Sequence, residues 1–107
     1  MPTATLPTSG GPVTVDAIEP VPGLYVYEVP ESVHPTSRYR WILAHHEGRA
    51  LASFETEEAA TGGANGVAHL ADWTRSQMTT ANQISLGGFV WKFTDLLRDA
   101  GGVHPNS

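Results

Sequence analysis

The chain has 107 residues, with 6 Lys+Arg against 11 Asp+Glu and no cysteine. The net charge of −5 argues against a broad nucleic-acid surface, because phosphate neutralisation ordinarily demands basic residues. Without cysteine there is no disulfide framework and no thiolate chemistry, as suits a reducing cytoplasm.

Residues 1–22 are rich in Pro, Thr, Ser and Gly. Pro2, Pro7, Pro12, Pro20 and Pro22 each lack an amide donor, and Gly10-Gly11 is flexible. This composition predicts a flexible arm, in which Val13-Thr14-Val15 and Ile18 are short apolar spots able to add an edge strand or latch onto a partner. The start carries neither the basic nor the apolar region of a signal peptide. No apolar run approaches the roughly 18–20 residues of a membrane span.

Residues 24–29 are β-branched and aromatic, bounded by Pro22-Gly23 and Pro30, which predicts a first strand. A polar connection containing Pro35 leads to a second strand over 38–44. There Tyr39, Trp41 and Leu43 share one face, and Arg38 and Arg40 the other. His46-Glu47-Gly48 is the turn, with Gly48 free to take positive φ. Residues 49–54 form the third strand, antiparallel to the second. Thr56 caps a helix expected to run to Trp73, with Glu57 and Glu58 favoured by its dipole. Gly62, Gly63 and Gly66 weaken that helix and predict close approach to the sheet. Val67, Leu70 and Trp73 are its core face, on which Trp41 is expected to be buried. Residues 74–88 are polar and ambiguous. Phe89, Val90, Phe93, Leu96 and Leu97 then follow the spacing of an amphipathic helix, ended by Gly101-Gly102.

Tyr39-Arg40-Trp41, Leu43, Gly48, Ala52-Ser53 and Asn65-Gly66-Val67 resemble the repeat of the YegP-like family without a gap from Tyr39 to Val67. Glu47 stands where that family usually has Asn, and Glu57 where it usually has Tyr. Only one repeat is present, whereas many members carry two in tandem. The resemblance implies a βββα unit and carries no established activity.

Chemistry-bearing residues are sparse. His45 and His46, adjacent on a strand, are expected to point to opposite faces and so not to share a metal, with His34 nearby. No serine sits in a nucleophile elbow, and Glu57-Glu58 is explained by its place at a helix start. Gly62-Gly63 lacks the residues of a phosphate loop. The tyrosines and tryptophans read as core and interface filler rather than a ligand cage. No catalytic, metal or cofactor site is expected.

The fold expected is α+β: a three-stranded antiparallel β-meander with one packed helix (βββα), plus a C-terminal amphipathic helix. The divisions are an arm (1–22), the βββα domain (23–75), a linker with the C-terminal helix (76–102) and a tail (103–107). One sheet face remains apolar and uncovered, and a chain of about this size gains stability by pairing. The function expected is therefore a cytoplasmic, non-enzymatic protein-interaction module that forms a homodimer or binds another protein, away from membranes. Phe89, Val90, Phe93, Leu96 and Leu97 are its interface candidates, packing either within one chain or across the dimer. The alternative is a nucleic-acid-binding sheet face using Arg38, Arg40 and Arg49.

Overall fold

The computed structural model describes residues 3–6, 10–29 and 38–103. Strands β1 (Thr3–Leu6), β2 (Val13–Asp16), β3 (Ile18–Val21), β4 (Leu24–Glu28), β5 (Trp41–His45) and β6 (Ala50–Phe54) precede the helices. Helix α1 (Glu57–Val67) continues into a 3₁₀ turn, Ala68–Leu70, and is followed by α2 (Gln77–Leu86) and α3 (Val90–Asp99). The protein is α+β, with a β1–β2 hairpin and an antiparallel meander in the order β3-β4-β5-β6.

The β5–β6 hairpin forms as its residues predict, with Gly48 at φ 111° in the turn. Register pairs Val26 with Leu43 and Leu43 with Ala52, so these side chains share one face. Helix α1 lies over that face and buries Ala60, Ala64 and Val67 against it. Its Thr56 cap accepts a hydrogen bond from Ala59 N at 3.1 Å. Gly63 is where helix and sheet meet most closely: a Cβ there would stand 2.6 Å from Phe54 Cζ. Gly62 and Gly66 have no neighbour within 4 Å of that position, so only one of the three glycines serves close approach.

The described part of residues 1–22 is not the flexible arm that its composition suggests, although Ile18 does open an edge strand and Val13-Thr14-Val15 lie in another, as their apolar character allowed. These residues supply β1, β2 and β3, and the hairpin of β1 and β2 covers the outer sheet face. Ala4 and Val15 pack there against Tyr27, Ile42 and Ala44. Prolines permit this because of where they fall. Pro20 lies in β3, an edge strand, where a missing amide leaves no ladder bond unmade inside the sheet. The sheet therefore has four strands, and its second face is covered within one chain. The surface count that called for a partner is removed.

Four other expectations change in detail. Helix α1 stops at Val67, and Trp73 returns to the core from a loop, its indole N–H donating to Val67 O at 3.0 Å. Residues 77–86, ambiguous by pattern, form α2; only Thr80 and Ile84 are buried on it, too few for a visible periodicity. Trp41 faces the helices but is only half-buried, because it opens β5 opposite Phe54. Val103, expected in the tail, makes two 2.9 Å backbone hydrogen bonds with Ser53 on the edge strand β6. The loop holding His34 and Pro35, and residues 104–107, lie outside the described residues.

Candidate functional site

A cleft of about 600 Å³ opens between β6, α2 and α3. On β6, Ala52 carries little side-chain volume beside Leu51, and Trp73, Ile84, Phe93 and Leu97 form apolar walls around them. Trp73 and Phe93 pack with ring centroids 6.0 Å apart, joining two walls of the cleft. The polar lining comes from His45, Arg49, Gln77, Thr80, Thr94 and Arg98. Volume and lining both match the usual small-molecule site, apolar with a few placed polar groups.

The β5–β6 turn positions α2, the helix that forms one wall. His45 is buried, at 2% exposure. Glu47 N donates to its Nδ1 at 3.0 Å, so the ring proton resides on Nε2 and donates to Arg75 O at 2.8 Å. His46 Nε2 reaches the same carbonyl at 3.0 Å, and the two imidazoles stand 4.1 Å apart. A carbonyl has two lone pairs and accepts both. The expectation that these histidines diverge fails because β5 ends at His45 and His46 already belongs to the turn. Burial lowers the His45 pKa, opposed by the bond to Arg75; the neighbouring His46 lowers it further and Glu47 raises it. Among the described residues no group of three metal-ligating side chains gathers.

Glu47 completes the tether: its Oε1 accepts from Gln77 N at 2.5 Å, at the first turn of α2. This gives a structural use to the residue that departs from the YegP-like pattern. Gln77 Oε1, by contrast, is buried with no hydrogen-bond partner on a residue that lines the cleft. Such an orphan acceptor ordinarily costs about 1–3 kcal/mol.

The interface candidates separate into two groups. Leu97 is buried, and Phe93 and Leu96 pack against the core of their own chain. Phe89 and Val90 are exposed, together with Leu86 and Trp91. Trp91 lies two residues from Phe93, about 200° around a helix of 3.6 residues per turn, and so faces away from the core. Residues 76–91 contain no charged side chain, a sequence signal for this uncharged α2–α3 corner that residue-by-residue reading passes over.

The three candidate nucleic-acid arginines are not brought together. Arg38 pairs with Glu55, and Arg40 donates to Val29 O near the same end of β5. Arg49 stands at the opposite end, beside the turn and in the cleft. Five strand residues at roughly 3.3 Å each separate the two ends.

Comparison with family models, with curated proteins and with solved structures returned no match. The likeness to YegP-like proteins therefore rests on the motif residues alone. No helix among the described residues is long and apolar enough to cross a membrane.

Proposed function

We propose that the protein is a non-enzymatic interaction module of YegP-like type that self-associates through the α2–α3 corner. The observation that carries this reading is the exposed apolar group Leu86, Phe89, Val90 and Trp91, with Trp91 at 79% exposure. Soluble chains seldom leave such groups contiguous without a partner. A second copy is the favoured occupant on charge grounds. Two chains of −5 repel each other except where an uncharged surface meets its twin, and residues 76–91 are that surface. A two-fold axis would bring the patches together isologously. Four side chains cover less than the roughly 800 Å² per partner of a standard interface, so the association is expected to be weak.

Light scattering across about 10–500 μM, a range suited to weak interfaces, tests this reading. A mass rising from monomer to dimer, abolished by Trp91→Asp with an unchanged melting temperature, is the expected result. A monomer throughout the range would overturn it. The nucleic-acid alternative gains no support from the geometry, since the outer sheet face beside Arg40 carries the β1–β2 hairpin.

A further inference from the structure

We propose that the cleft between β6, α2 and α3 binds a small organic acid, an aromatic or aliphatic body bearing one carboxylate. This goes beyond self-association and uses a different surface. Three observations converge on it.

The first is charge. The protein carries 6 Lys+Arg and 11 Asp+Glu, yet among the described residues the cleft takes Arg49 and Arg98 and no carboxylate. Its lining is thus locally positive in an acidic protein. Arg49 makes no ion pair among the described residues, whereas Arg38, Arg75 and Arg98 each have one. A guanidinium without a carboxylate partner is an open fork for one. The Arg98 pair with Asp95, at 3.0 Å on the surface, is of the weak exposed kind that a ligand can replace.

The second is volume and polarity. About 600 Å³ fits a drug-sized molecule and is too small for a folded partner. Trp73, Ile84, Phe93 and Leu97 offer apolar and aromatic walls to its body.

The third is the buried Oε1 of Gln77, without a hydrogen-bond partner among the described residues, on a residue of the same lining. A half-turn of the amide exchanges oxygen for nitrogen, so Gln77 has a donor to offer a carboxylate when the site fills.

The test is calorimetric titration of the full chain with 2-naphthoate and decanoate, each beside its uncharged methyl ester. At least one acid is expected to bind about tenfold or more tightly than its ester, as a charge-assisted contact requires. The double variant Arg49→Ala with Arg98→Ala should erase that difference and leave the ester's affinity unchanged. Both residues are exposed, so the fold should survive. Ala81→Trp, an exposed position on the rim, should weaken acid and ester together by filling the opening. Equal binding of acid and ester, undiminished acid binding by the double variant, or no binding by either acid up to its solubility limit would each overturn the proposal.

Discussion

Helix α1 and the pair α2–α3 cover the same sheet face in opposite ways. Helix α1 is built from small residues, Ala59, Ala60, Gly63 and Ala64, and settles directly onto Phe54 and Leu43. Helices α2 and α3 are faced with larger side chains, Ile84, Phe93 and Leu97, which line a cleft shared with Leu51 and Ala52 of β6. Small against large gives close packing around α1, whereas the space between β6, α2 and α3 is left open as a cleft. Stability is therefore expected to concentrate in the first region and binding in the second.

The comparison breaks most completely at Phe54, which is fully buried and touches both regions. Phe54→Ala should lose about 3–5 kcal/mol, most of the margin of a small domain. Denaturant melts measure this. A loss under about 1 kcal/mol would mean that α1 and the sheet are not closely packed there.

The glycines of α1 sharpen the same contrast with a change of sign. Gly63→Ala forces a Cβ to within 2.6 Å of the Phe54 ring, which has no free space to move into. Overpacking of that kind costs about 1–3 kcal/mol. Gly62→Ala, one residue away with nothing within 4 Å, should instead stabilise by about 0.5–1 kcal/mol through helix propensity. Equal effects of the two substitutions would contradict the close approach at Gly63.

The residues of the first region could be read from the chain because each signal was local. Thr56 as cap, Gly48 as turn and the alternation through Trp41 and Leu43 all act within a few residues. β1 was hidden, and β2 and β3 showed only as the apolar spots Val13-Thr14-Val15 and Ile18, because each strand is only four residues long and interrupted or flanked by proline. Nothing local says that Val15 will cross to the outer sheet face. Helix α2 was hidden because the molecule buries only Thr80 and Ile84 from it. The cleft was least legible of all. It lies between β6 and walls supplied by helices later in the chain, and no periodicity reports an empty space. Arg49 was grouped for its charge with Arg38 and Arg40, which lie near the other end of β5, whereas Arg98, distant in sequence, lines the same cleft as Arg49.

The smallest expected effect lies at the hinge between the two regions, where His45 ties the β5–β6 turn to the loop before α2. The imidazole accepts a bond from Glu47 N on Nδ1, which only the neutral ring can do. Burial also disfavours the charged form, so its folded pKa lies below the ordinary value of about 6.5. Protonation is then easier in the unfolded chain, and the linkage has a definite sign. The stabilisation from His45 is present above about pH 6.5 and is lost as pH falls through the folded pKa. His45→Gln keeps a donor for Arg75 O but does not titrate. Urea midpoints for both proteins between about pH 8 and pH 5 read this linkage. The wild type should lose ground relative to His45→Gln below about pH 6.5 and not above it. Parallel midpoints across the whole range would show that the ring does not hold the two regions together in its neutral form.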